Sequence, residues 1–510
     1  PDLSMKDPSK VKPSGGVIGD NLGQFYGSVV FAIAPSKVER GLIWAGTNDG
    51  KVWVTRNGGT AWTDLTKNVA GMPAWGTVRK IEPSPHDAAT AYMVVDLHTN
   101  DDRRPYLFKT SDYGQSWKSV VGDLPSAHPL DYVLSVAEHP ERKGMLLAGT
   151  GHAFYYSMDD GAHWTPFQSG LPASPVTWIE IPKGWNDAVV STYGRGLWVL
   201  RDLKALQDGG AAASGATLFA PRPGVRRARE GRVDLTFRAA DTAVVRLEIT
   251  DAAGRVARTM SVKPRLGINR VTWNLRYDLA VAVALRTSPP DNPYIWDEPP
   301  YKGKDTRPIA HWGIQQPQTQ GPLGAPGQYT VTLAAGGQSF AQPLTVLKAS
   351  DLATSDEDLV ASTDAQVRVR DRLTETATVV NQLEVLRKNI EDQLKANATN
   401  TAAVKALKEM DQKMLDVELI LLSRHDLHSD DKWFVETYRT YLSLLWLAGE
   451  VGSGAGDVAG GADWRPTDSS MQTLRELEAD LARAKAAFQL LLDKELPAFN
   501  AKMSALLKPI

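Results

Sequence analysis

Asp96 ends an apolar run, Ala91-Tyr92-Met93-Val94-Val95, and is followed by Leu97-His98-Thr99-Asn100-Asp101-Asp102-Arg103-Arg104. Acids, an imidazole and guanidiniums in one short stretch allow two kinds of chemistry. A carboxylic acid and a carboxylate about 5–10 Å apart cleave glycosidic bonds, one as acid and the other as nucleophile or base. Asp96 is the first candidate for such a role, with His98 beside it. Glu180, Glu82 and Glu138 are candidate second carboxylates on other strand-like runs. Alternatively, Asp101 and Arg103 hold a polar ligand at a loop mouth. The plainer reading is a solvated loop whose charges pair among themselves. Tyr193 and Arg195 are further ligand candidates, although Tyr193-Gly194-Arg195-Gly196 reads more simply as a turn. Trp296 and Trp312, with Tyr294 and Tyr301, lie in a Pro-rich stretch; they can stack on sugar rings or pack against a neighbouring domain. His425-Asp426-Leu427-His428-Ser429-Asp430-Asp431 has metal-binding letters, but its spacing matches no defined site, and helix-end dipoles account for it. Neither a metal nor a cofactor is expected: the chain has no phosphate-binding loop, dinucleotide fingerprint, nucleophile elbow or His-Glu-x-x-His.

The elements that must position these residues are set by a phrase that occurs three times. It reads Thr55-Arg56-Asn57-Gly58-Gly59-Thr60-Ala61-Trp62, then Thr110-Ser111-Asp112-Tyr113-Gly114-Gln115-Ser116-Trp117, then Ser157-Met158-Asp159-Asp160-Gly161-Ala162-His163-Trp164. The Asn or Asp side chain can bond nearby backbone N–H groups and close a turn. Gly59, Gly114 and Gly161 supply positive φ, and the Trp folds back over the turn. The first copy has Asn where the others have Asp, which turn capping tolerates and acid catalysis does not. The copies are 55 and 47 residues apart, and each follows a strand-like run. A hairpin motif recurring at about 50 residues is the pattern of a β-propeller, one small sheet per repeat.

The phrase resembles the Asp-box, or BNR repeat, of sialidases, sortilin-type propellers and xyloglucanase-type glycoside hydrolases. The order of propeller repeats, small β domain and helical tail is similar to large secreted bacterial proteins of sortilin-like or glycosyl-hydrolase-like type. The resemblance covers nearly all of this chain but only the rear portion of such proteins. It implies either a binding or scaffold module for a glycan or protein ligand, or a glycoside hydrolase acting on an extracellular polysaccharide. It also implies a secreted, periplasmic or cell-surface location. A sialidase would need a Phe/Tyr-Arg-Ile-Pro motif, which is absent. A xyloglucanase-type enzyme takes one aspartate from each of two propellers, so one catalytic half would have to come from elsewhere.

The totals narrow the classes further. Lys+Arg 57 against Asp+Glu 59 gives no reason to expect a nucleic-acid partner. Without cysteine, disulfides, thiolate metal sites and a Cys nucleophile are excluded. No apolar run reaches membrane-spanning length. The chain starts at Pro1 with no signal peptide, which reads as a processed or truncated start.

At 510 residues several domains are expected, mainly β and then α. Residues 1–28 read as a linker or wrapping segment. Residues 29–206 hold about four blades, a partial propeller that a second polypeptide or a missing N-terminal segment would complete, since an open ring leaves sheet edges bare. Residues 207–216 are a flexible linker. Residues 217–348 read as an Ig- or fibronectin-like sandwich, interrupted by the Pro- and aromatic-rich insertion 280–325. Residues 355–510 carry four apolar stripes at helical spacing, the pattern of a four-helix bundle, with Thr467 as an N-cap.

Overall fold

The computed structural model describes residue 3 and residues 29–167, 170–208, 215–289, 292–309, 319–428, 436–452, 454 and 460–510. Nearly all of 1–28, most of the 207–216 linker, Trp312, Ser429, Asp430 and Asp431 lie outside the described residues. The chain divides into two compact units, 1–213 and 214–510.

The first unit is a series of small antiparallel sheets. The first holds β1 (Val30–Pro35), β2 (Ile43–Thr47), β3 (Val52–Thr55) and β4 (Thr63–Asp64). The second holds β5 (Thr77–Pro83), β6 (Ala91–Asp96), β7 (Leu107–Thr110) and β8 (Lys118–Ser119). The third holds β9 (Val133–Glu138), β10 (Leu146–Thr150), β11 (Phe154–Ser157) and β12 (Thr165–Pro166). The fourth has three strands, β13 (Val176–Glu180), β14 (Ala188–Thr192) and β15 (Gly196–Leu200). In every sheet the strands pair in chain order, and successive sheets pack face to face. The arrangement is propeller-like.

Apolar residues fill the space between sheets. Trp44, Val78, Met93, Phe108 and Trp117 join the first sheet to the second; Tyr92, Leu107, Val136, Leu146 and Trp164 join the second to the third. The second and third sheets are therefore covered on both faces. The outer faces of the first and fourth leave large apolar residues exposed, although on the first the buried Leu3 accepts the Trp53 indole N–H through its carbonyl (2.6 Å). Ile33 is 71% exposed and Phe31 50%. On the fourth sheet Trp178, Ser191 and Leu197 lie opposite one another in register, as do Glu180, Val189 and Val199. That face leaves Trp178 51%, Leu197 75% and Val199 54% exposed, whereas Ile179 and Val190 on the other face are buried.

The repeated phrase forms one and the same turn between third and fourth strands. Asn57 Oδ1 accepts the Thr55 hydroxyl (2.9 Å) and the Ala61 N–H (2.9 Å). Asp112 Oδ1 accepts the Thr110 hydroxyl (2.7 Å) and the Ser116 N–H (2.9 Å). Asp159 Oδ1 accepts the Ser157 hydroxyl (2.9 Å) and the His163 N–H (2.9 Å). Each hydroxyl in turn accepts the N–H of Gly59, Gly114 or Gly161. The acids of the phrase are turn caps.

In the second unit, β16 (Thr217–Leu218), β17 (Gly224–Arg227), β18 (Glu230–Ala239), β19 (Val245–Asp251), β20 (Val256–Val262), β21 (Gly267–Trp273), β22 (Gly327–Ala335) and β23 (Gln338–Lys348) form one connected set. The front of β18 pairs with β17 and its rear with β16 and β21, so β18 links two groups of strands over one core. Phe237, Leu247, Trp273, Val331 and Leu344 meet there. Leaving aside the short α1 (Lys204–Gln207) of the first unit, the longer helices among the described residues are α2 (Asp356–Ala396), α3 (Thr401–Leu421), α4 (Thr440–Val451), α5 (Asp468–Leu490) and α6 (Leu496–Met503). Their stripes meet in a second core containing Leu373, Val380, Leu407, Met414, Leu445, Leu481 and Phe488. Ser355, Asn400 and Thr467 cap α2, α3 and α5 through side-chain oxygens, which satisfy otherwise orphan N–H groups.

The start of the Pro-rich insertion runs along α2. Thr374 accepts the Val281 N–H (3.3 Å), Asn381 the Ala284 N–H (2.7 Å), Glu384 the Thr287 N–H (2.8 Å) and Glu391 the Ser288 N–H (3.2 Å). Val283 and Leu285 enter the helical core beside them.

Candidate functional site

One end of the second and third sheets gathers four of the residues singled out above, Asp96, His98, Asp101 and Arg103. Asp96, last in β6, lies opposite Thr77 at the start of β5. Val133, first in β9, lies opposite Thr150 at the end of β10. The register of β5 slips between Val78 and Lys80, leaving Arg79 as a bulge residue. A bulge re-aims a side chain, and Arg79 Nη1 donates to Asp96 Oδ2 at 3.3 Å. Asp96 is buried and also bonds the His98 backbone N–H (3.0 Å) and His98 Nδ1 (2.7 Å). The His98 ring lies flat on Tyr132, with centroids 4.4 Å apart and planes 7° apart. Burial, and then the Asp96 charge, push the Tyr132 hydroxyl above its usual pKa.

Behind Tyr132 is a second polar group. Asp131, 2% exposed, accepts the His128 N–H at 2.7 Å. His152 sits in the β10–β11 hairpin, with Nδ1 3.0 Å from the Leu130 carbonyl oxygen. The rings of His128 and His152 are 4.5 Å apart. One ligand atom from each of His128, Asp131 and His152 lies within 4.8 Å of the others. Gly151 makes this approach possible: a Cβ there would stand 2.8 Å from both the Leu130 oxygen and Tyr132 Cζ.

An open cleft of about 570 Å³ lies between the Asp101–Arg104 loop and residues 126–129. Its charges pair within the loop. Arg104 bonds Asp102 at 2.9 and 2.6 Å, and the Tyr106 hydroxyl bonds the same carboxylate at 2.7 Å. Arg104 holds the Asp102 carboxyl far below its usual pKa. Arg103 is 3.5 Å from Asp101, which turns the loop with φ 62°.

Asp96, His98, Asp101 and Arg103 thus share one end of the sheets. Glu180 does not join them. It ends β13, and its charge acts on Lys80, which donates to the Ile179 carbonyl at 3.0 Å and lies over the Trp178 ring. Glu82 is paired with Lys37 at 2.8 Å, and Glu138 accepts the Gly144 N–H at 2.9 Å. Tyr193 and Arg195 form the β14–β15 hairpin, where the Arg195 carbonyl accepts the Trp198 indole N–H; neither lines the cleft. Trp296 belongs to the second unit, with the Arg307 guanidinium 5.8 Å from its ring. Asp426 exchanges hydrogen bonds with Ser423, as a turn cap does.

Arg79, His128, Asp131, Tyr132 and His152 did not stand out in the sequence. The signal available was His128-Pro129-Leu130-Asp131 just before a strand and Gly151-His152 in the next hairpin.

No protein-family model and no curated protein matches the chain. Similar solved structures include the GH74 xyloglucanase from Xanthomonas campestris, at 15% identity over 66% of this chain and 47% of that one, TM-score 0.29. The Niastella koreensis GH74 enzyme is similar at 12% identity over 62% and 53%, TM-score 0.28. YCF48 from Cyanidioschyzon merolae is similar at 15% identity over 41% and 66%, TM-score 0.23. The chain spans about half the length of the two GH74 proteins. None of these likenesses bears on what this chain does. No helix among the described residues is long and apolar enough to cross a membrane.

Proposed function

We propose that the chain is a binding module of a secreted or cell-envelope Asp-box protein, which takes a glycan or peptide in the cleft between the Asp101–Arg104 loop and residues 126–129. The observation that carries this reading is the state of the carboxylates. Asp96 is held by Arg79 and His98, Asp102 by Arg104 and Tyr106. Glycoside hydrolysis needs one carboxyl free to give a proton and another free to attack or activate water. Paired charges around an open mouth suit a hydroxyl- or amide-rich ligand instead. The apolar residues left exposed on the outer faces of the first and fourth sheets support a larger ring, completed by a further segment or a second polypeptide.

The test is affinity electrophoresis through a panel of soluble polysaccharides, with reducing-end release assayed on the same samples. Retardation that weakens in Arg103→Ala, with no new reducing ends, is the expected result. Release of reducing ends that Asp96→Asn abolishes would overturn the reading in favour of a hydrolase.

A further inference from the structure

We propose that His128, Asp131 and His152 bind a divalent transition cation of the zinc class, leaving one coordination position open to the cleft. Two segments bring the groups together: the loop before β9 supplies His128 and Asp131, the β10–β11 hairpin supplies His152, and Gly151 in that hairpin lets the two backbones touch. The ligand atoms already lie within 4.8 Å of one another. Tetrahedral sites with nitrogen and oxygen ligands need about 3.3 Å between them.

Proton placement favours a cation. His152 Nδ1 faces the Leu130 carbonyl at 3.0 Å, so it carries the hydrogen. In the neutral ring Nε2 is then a bare lone pair. That lone pair faces Asp131 Oδ1 at 3.8 Å, another acceptor, too far for a hydrogen bond. Two acceptors held toward each other need a positive charge between them. A carbonyl fixing the far nitrogen of a ligating histidine is also the usual outer support of a metal site. The Asp131 carboxylate is steadied by the His128 N–H at 2.7 Å. His128 is the adjustable member: it is exposed, and its Nδ1 accepts only the Leu130 N–H at 3.1 Å among the contacts of the described residues. Two imidazoles and one carboxylate select zinc-like ions over calcium or magnesium, which take oxygen ligands. His128 lines the cleft, so the fourth position is open to water or to a ligand oxygen. The site stands on its own geometry, whatever the cleft binds.

The experiment is isothermal titration of metal-stripped protein with zinc, and with cobalt followed by its visible absorption. One equivalent should bind, and cobalt should give the intense bands of tetrahedral coordination. His152→Gln and His128→Gln should each weaken binding at least tenfold, while His163→Gln, an exposed histidine on a turn cap, should change nothing. Circular dichroism of each variant checks that it is folded. Binding should also weaken in acid, because protons compete with the cation for the ligand lone pairs. No binding by the folded wild type, or binding that both glutamine variants retain, would overturn the proposal.

Discussion

The second and third copies of the repeated turn and the first make the same hydrogen bonds in different surroundings. A Cβ on Gly114 would stand 2.3 Å from Leu65 Cδ1, and one on Gly161 2.7 Å from the Val120 carbonyl oxygen; both contacts belong to the preceding sheet. Gly59 has only its own Trp62 near it, at 3.7 Å. Trp117 and Trp164 are buried and Trp62 is half-buried. The motif is therefore two devices in one. Its polar half closes a hairpin in any setting, and its Gly and Trp become an inter-sheet contact only where a sheet lies behind them. Where none of the described residues lies behind it, as at Gly59, the second device waits for a neighbour.

The comparison can be broken most forcefully at the tryptophans. Trp117→Ala should cost about 3–5 kcal/mol, because the ring packs edge-on against Trp44 inside the core. Trp62→Ala should cost about 1 kcal/mol, because much of its area is already in water. Urea unfolding of both variants decides the matter; equal losses would mean that the first turn is as enclosed as the second. The glycines come next. Gly114→Ala carries both the strain of φ 83° and a steric clash, together about 3 kcal/mol. Gly59→Ala, with φ 94° and room for the methyl, carries only the strain, about 1–2 kcal/mol. Thermal melts should rank them in that order.

The smallest effect sharpens the polar half. Burial raises the Asp159 pKa, but the His163 N–H and imidazole and the Ser157 hydroxyl outweigh it and lower the carboxyl to about 2. Asp112 is lowered likewise through Ser116 and Thr110. A depressed carboxyl stabilises the fold above its unfolded pKa of about 4 and stops doing so as pH falls through its folded value. Asn57 has no such dependence. The Asp112→Asn, Asp159→Asn double variant should therefore melt almost like wild type at pH 7, within about 1 kcal/mol because the caps are exposed. It should also lose less stability between pH 4 and pH 2. An unchanged acid profile would show that other carboxylates govern it.

Legibility followed the range of the interactions. Turn caps and helix stripes depend on residues within eight positions of one another, so Asn57, Asp112, Asp159, Thr467 and the four apolar faces could be read directly. Asp96 and His98 were legible as a pair because they are two residues apart. Arg79, Tyr132 and His152 were not, since a bulge, a ring stack and a close glycine contact bring them together from separate strands. Where Glu180 lies was not legible for the same reason: a glutamate on a neighbouring strand run carries no mark of which end of the sheets it occupies.

The segment along α2 has a consequence for how the chain acquires its structure. Its amides meet side chains 93 to 103 residues later in the chain. During synthesis this stretch leaves the ribosome well before its receptor helix exists, and four N–H groups wait in water meanwhile. The strands on either side of it, β21 and β22, cannot lock the insertion in place by themselves. A truncation before α2 should leave this stretch of the insertion open to protease while the strands themselves pair, so this stretch of the insertion reaches its final form only together with the helix.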